Sequence, residues 1–132
     1  MSQQNVEIVR DQYDATNERD FRRVMSHYAE DVEMVVPFGL RAGTFKGRRA
    51  VGEWFGDWLA TFDEDARFDI EEIVGKGALV LLIARHRATG RASGVAVARA
   101  VCWVYRIEAG KIKLVQAYES RDEARKAVGL EG

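Results

Sequence analysis

Arg85, Arg99 and Glu119 are the residues whose types and spacing point first to chemistry in this sequence. Each belongs to an apolar run that reads as a β-strand, where successive side chains take opposite faces. Leu79, Leu81, Ile83 and Arg85 share one face of the first run. Val97, Arg99, Val101 and Trp103 share a face of the second, and Val115, Ala117 and Glu119 a face of the third. If all three sets line one concavity, two guanidiniums and a carboxylate stand among the apolar walls. An unpaired buried charge costs several kcal/mol, so Glu119 is the available internal partner. One carboxylate for two guanidiniums leaves positive charge, which suits an anionic or carbonyl-bearing ligand. Two blander readings stand beside this one: a structural ion pair, or arginines near strand ends that reach water. The set depends on register, because a slip of one residue reverses every face.

Other chemistry-bearing residues give weaker signals. His27 and His86 are the only histidines, and neither has a second histidine or a cysteine at ligand spacing, so no metal site is expected. His86 is opposite in phase to Arg85: a base only if the register is slipped, otherwise a half-exposed strand histidine. Cys102 alternates away from Trp103 and reads as a buried small residue or an interface residue. Trp54 and Trp58 share a helical face and read as core, with Trp54 or Phe55 available as a pocket wall. The basic residues Arg41, Lys46, Arg48 and Arg49 read as solvated surface. Gly75-Lys76-Gly77 is a turn, not a phosphate-cradling loop.

The elements that must position these residues follow from periodicity. Gln4 to Glu18 places Val6, Val9, Tyr13 and Thr16 on one helical face, with Ser2 or Asn5 as the cap. Asp20 caps a second short helix that turns Phe21, Val24, Met25 and Tyr28 inward. Val32 to Phe38 reads as a strand, with Pro37 marking an edge or a bulge, and residues 39–47 as a loop or short hairpin. Arg48 to Phe62 is the strongest helix, with apolar residues recurring every three and four positions. Strands then follow at Arg67–Val74, Ala78–Ala88, Val95–Ile107 and Lys111–Ser120. Short turns join them, so they form an antiparallel meander. Arg121 to Val128 is a terminal helix stopped by Gly129. Helices segregated from a run of strands mean an α+β fold. A long twisted sheet curls around its helices, and the cone so formed leaves a concave apolar site for a small molecule.

Composition bounds the function classes. The chain has 132 residues and a net charge of −1, which fits one domain over 1–132 and disfavours nucleic acid as a partner. A single cysteine excludes an intrachain disulfide and suits a reducing cytoplasm. The N-terminal residues lack a secretory pattern, and no apolar run approaches the ~20 residues of a membrane helix. The expectation is a soluble cytoplasmic protein that engages no membrane.

Several segments together resemble a known family. They are Tyr13-Asp14-Ala15-Thr16-Asn17-Glu18-Arg19-Asp20-Phe21, Tyr28-Ala29-Glu30-Asp31-Val32, Phe45-Lys46-Gly47-Arg48-Arg49-Ala50-Val51 with Trp54-Phe55, Gly110-Lys111-Ile112 and Ala117-Tyr118-Glu119. Their order and spacing resemble the SnoaL-like branch of the NTF2-like superfamily, which includes ketosteroid isomerases, limonene epoxide hydrolases and polyketide cyclases. The resemblance implies a cone-shaped α+β fold, a pocket in the cone and a homodimer through the sheet. It places Tyr13 where the isomerases carry an oxyanion tyrosine, although a core aromatic is the plainer reading. Val36 stands before Pro37 where the isomerases hold their general base, and Trp103 near their oxyanion carboxyl. Arg85 resembles the arginine of the epoxide hydrolases, but Arg87 and Ala117 replace its flanking carboxylates. One expectation is therefore a cofactor-free isomerase, cyclase or hydrolase acting on an apolar carbonyl or acid substrate. Its acid–base group is Glu119 or Tyr13, and Arg85 or Arg99 stabilises negative charge. Arg99, Trp103, Trp54, Phe55, Leu81, Ile83, Val36 and Ala117 then contact the ligand. The alternatives are a non-catalytic binding protein for a small apolar, anionic ligand and a dimerisation module.

Overall fold

In the computed structural model, which describes residues 2–130, a curved six-stranded sheet wraps around its helices. The elements are α1 (Ser2–Asn17), α2 (Phe21–Ser26), β1 (Tyr28–Val36), β2 (Gly43–Lys46), α3 (Arg48–Leu59), β3 (Arg67–Lys76), β4 (Leu79–Thr89), β5 (Ala96–Glu108), β6 (Lys111–Tyr118) and α4 (Arg121–Ala127). The strand order is β2-β1-β6-β5-β4-β3. The β3–β6 meander is antiparallel throughout, and β1 joins β6 in parallel. Chain reversal between β5 and β6 uses Ala109 and Gly110, both at positive φ (51° and 77°), a backbone twist that matches a tight hairpin.

The helices are fixed by local chemistry. Asp20 caps α2 by accepting from the Arg23 backbone N–H at 3.2 Å, as its position predicted. Asp11 on α1 accepts from Arg23 and lies 2.7 Å from His27 Nε2, which ties α1 to α2. Those two bonds, Arg23 first, lower the Asp11 carboxyl to about 2. Asn17 closes α1 against the sheet. Its amide donates to Phe68 O and accepts from Phe68 N, each at 2.8 Å, so it pairs with the edge strand β3 as another strand would. At the other end of α1 the helix rests on Gly75. A Cβ there would stand 2.8 Å from Ser2 O and Val6 Cγ2, so only glycine permits this approach.

Some boundaries differ from the sequence reading. Tyr28 is the first residue of β1 rather than the end of α2, and α3 stops at Leu59. β1 is an inner strand, and Pro37 lies just beyond its end, where no ladder bond is needed. Asn5 lies within α1 and reaches towards Gly77 O instead of capping.

The larger correction concerns β4. Its inward side chains are Val80, Leu82, Ala84 and His86, which belong to the main core or to the aromatic cluster beside it. Leu81, Ile83 and Arg85 face outward. Leu81 and Ile83 pack with Cys102 and Val104 beneath Ala124 and Val128 of α4. Because α4 covers the outer face, β4 is buried on both sides from Val80 to Ala84, and no polar stripe marks its solvent side. Arg85 donates to Glu71 at 3.0 Å, and Glu71 also pairs with Arg121 of α4. Glu71 is the extra residue of a β-bulge between Ile70 and Glu72, which turns its carboxylate towards both guanidiniums.

Candidate functional site

Aliphatic side chains make up most of the core inside the cone, and a cluster of aromatic rings stands among them. Trp54, Phe55 and Trp103 meet with ring centroids 5.1–6.0 Å apart, and Tyr28 stacks on Phe55 at 6.5 Å. Beside this cluster a cavity of about 820 Å³ opens between α1–α2 and α3. That volume falls in the range of small-molecule sites, roughly 300–1,000 Å³. Its apolar walls are Val24, Met25, Phe55, Trp58, Phe62 and Phe68. Two glycines of α3, Gly52 and Gly56, stand one helical turn apart on the wall, and a Cβ at Gly56 would meet nothing within 4 Å. Mid-helix glycine costs ~0.5–1 kcal/mol against alanine, so the space is kept at some cost to the helix.

Polar groups converge where α1 faces this space. Gln12, Tyr13 and Thr16 lie along one side of the cavity. The Tyr13 and Tyr105 hydroxyls are 2.8 Å apart and share one hydrogen bond, and the Gln12 side chain stands beside Tyr105. Burial raises Tyr13, Tyr28 and Tyr105 above the usual phenol range, so all three are neutral donors. Among the described residues, Tyr28 OH and Gln12 Oε1 are buried without a hydrogen-bond partner. Arg19 and Arg91 lie at the mouth. Arg19 donates to the Glu64 and Ala66 carbonyls at 2.8 and 3.0 Å, and Arg91 to the Phe62 carbonyl at 2.9 Å. Asp63 and Glu64 supply the carboxylates of the lining.

The residues singled out from the sequence are distributed as follows. Tyr13 and Phe55 line the cavity. Trp54 and Trp103 form the ring layer against Phe55, and Trp54 Nε1 donates to Arg41 O at 3.1 Å. Val36 and Ala117 face inward within the core. Arg99 pairs in register with His86 but is exposed. Glu119 is exposed beyond the end of β6. Arg85 is on the outer face with Glu71, so Arg85, Arg99 and Glu119 do not meet as a set.

Gln12, Thr16, Gly52, Gly56, Phe62 and Phe68 line the cavity but were not named as site residues from the sequence, although Thr16 and Phe62 were placed on apolar helical faces. The paired glycines in an otherwise strong helix were the available signal. His86, read from the sequence as a half-exposed strand histidine unless the register slipped, needs a correction, because α4 covers the outer face of β4 and the inward parity falls on His86. It is fully buried and boxed by Trp58, Phe62 and Phe68 at centroid distances of 4.9, 4.7 and 4.6 Å. Burial, then Arg99 and Arg19, lower it to about 4, so the ring is neutral at neutral pH.

Comparison with solved structures returns the same architecture. An NTF2-like protein of unknown function from Burkholderia pseudomallei K96243 is 23% identical, with a TM-score of 0.79 over 98% of this chain and 99% of that one. TerC, crystallised with polyporic acid, is 19% identical with a TM-score of 0.77 over 95% and 97%. RV0760c from Mycobacterium tuberculosis, in complex with estradiol-17beta-hemisuccinate, is 17% identical with a TM-score of 0.76 over 90% and 95%. At these identities the likeness establishes the NTF2-like α+β fold. No curated protein sequence matches the chain. The model of the SnoaL-like domain matches residues 9–115, from the middle of α1 through most of β6, and the chain belongs to that family.

Proposed function

We propose that this protein binds a small, flat, mostly apolar molecule bearing a hydroxyl or carbonyl group, in the cavity between α1–α2 and α3. The carrying observation is an aromatic-walled space of about 820 Å³ with Gln12 Oε1 buried and unpartnered at its side, among the described residues. Buried polar groups in native proteins are almost always bonded, so an unpaired one beside a cavity has hydrogen-bonding capacity for an occupant. The neutral Tyr13 hydroxyl beside Gln12 adds polar capacity to the same wall. Arg19 and Arg91 at the mouth suit an acidic group left near solvent. The ligands named for the two complexed neighbours, polyporic acid and estradiol-17beta-hemisuccinate, fit this description.

A catalytic reading rests on Tyr13, whose neutral hydroxyl could stabilise a developing oxyanion. Proton abstraction also requires a base, and the lining carboxylates Asp63 and Glu64 lie in the segment after α3 rather than among the inner rings. Binding is therefore the reading the geometry supports best. Pairing of two copies through the sheet would have to use the outer face not covered by α4.

Gly56→Leu tests the proposal. The side chain projects into open space, so the helix should gain ~0.5–1 kcal/mol while the cavity fills. 2-Naphthol, a flat hydroxylated probe, should bind the wild-type protein saturably and the variant at least tenfold more weakly. Equal affinity for both would place the binding site elsewhere.

A further inference from the structure

His86 is the buried titratable group for which neither the fold nor the cavity lining accounts. Its side chain is fully buried, and among the described residues neither Nδ1 nor Nε2 has a hydrogen-bond partner. A neutral imidazole carries one donor and one acceptor, and leaving both unmet is costly. A phenylalanine would fill an aromatic box as well without that cost. The three rings that box it, Trp58, Phe62 and Phe68, all line the cavity, so His86 lies one side chain behind the wall.

Phe62 is the ring best able to move. It follows the end of α3 and is only partly buried. Its backbone is anchored by an N–H bond to Leu59 O at 3.1 Å, by the Arg91 bond to its carbonyl and by a bridge to Gly90. A rotamer change can therefore carry the ring away without disturbing the chain. Trp58 and Phe68 are held more firmly, within a helix and a strand.

We propose that His86 is the hydrogen-bonding anchor for a phenolic or enolic hydroxyl of the cavity's ligand, reached by rotation of the Phe62 ring. This rests on the cavity being the binding site. A hydroxyl is the matching chemistry because it donates to the bare ring nitrogen and can accept from the protonated one. The flanking rings suit an aromatic or conjugated skeleton carrying that hydroxyl. The low basicity of the ring agrees with a neutral binding role at physiological pH.

The test uses 2-naphthol and naphthalene, which differ by the hydroxyl, with ¹⁵N-histidine-labelled protein. The wild-type protein should prefer 2-naphthol by roughly five- to tenfold, the worth of one net hydrogen bond. On adding 2-naphthol the His86 ring nitrogens should shift, while those of His27, held on Asp11, stay in place. His86→Phe should abolish the preference and retain naphthalene binding. Phe62→Ala, which uncovers the ring, should strengthen 2-naphthol binding. Unmoved His86 resonances at saturation overturn the anchor and leave the cavity reading standing. So does a preference that survives His86→Phe but disappears in Tyr13→Phe. Failure of both probes to bind wild-type protein overturns the cavity reading and the anchor with it.

Discussion

The two faces of the sheet are built on opposite terms. On the outer face, Leu81, Ile83, Cys102 and Val104 are sealed by Ala124 and Val128 of α4. The charges around that seal are paired: Arg85 and Arg121 on Glu71, and Arg125 on Glu72. Lys76 also donates to Gly129 O at 3.0 Å, just past α4. On the inner side, Gln12, Tyr28 and His86 keep buried polar atoms unpartnered among the described residues. A face whose charges are paired on its own chain is structural. Groups left unspent beside a cavity have hydrogen-bonding capacity for an occupant, which is the basis of the proposed binding role.

The contrast can be broken by experiment, beginning with the outer face. Leu81→Ala should cost ~2–5 kcal/mol in unfolding free energy, because it opens a cavity under α4. Chemical denaturation measures this, and affinity for 2-naphthol in the folded protein should not change. On the inner face, His86 makes the protein acid-sensitive. Its folded value of about 4 lies below the ordinary 6.5, so the unfolded chain takes up the proton first. The stabilisation is complete above about pH 6.5 and is lost as pH falls towards 4, amounting to about 3 kcal/mol. Denaturation midpoints across that range should flatten in His86→Phe. Asp11 titrates lower, between 3.8 and about 2, so its contribution falls outside this window.

Tyr28→Phe sharpens the comparison with a smaller effect of opposite sign. It removes a buried hydroxyl that has no partner among the described residues, and should leave stability unchanged or raise it by about 1 kcal/mol. A loss of more than that would mean the hydroxyl is satisfied in the folded protein. Arg85→Ala should have the least effect, at most ~1 kcal/mol, because its pair with Glu71 is partly open to solvent. Probe binding should be untouched, since the side chain lies on the far face from the cavity.

Much of the fold was legible in the sequence because each element carried its own signal. The short turns between strands dictated an antiparallel meander, the Asp20 cap marked α2, and the apolar spacing of Arg48 to Phe62 marked α3 despite its glycines. The site was harder to read. Alternation identifies a strand's inner face only when the other face is polar, and α4 removed that contrast from β4. Arg85 was thus turned inward on paper and His86 outward, the reverse of what packing produces. On β5 and β6 the parity was read in the correct sense, and Trp103, Val115 and Ala117 do face the core. The cavity itself depends on how far α1–α2 stands from α3, a distance set by contacts such as Asn17 on Phe68 and Ser2 on Gly75. Those pair residues far apart in the chain, and no local pattern announces them.

A crystal structure of the protein with 2-naphthol tests the central claim most directly. The ring system is expected among Phe55, Trp58 and Phe68, with Phe62 rotated outward and the hydroxyl within hydrogen-bond distance of an unspent inner polar group. A probe seated on the outer face, with the cavity between α1–α2 and α3 unchanged, would contradict the account.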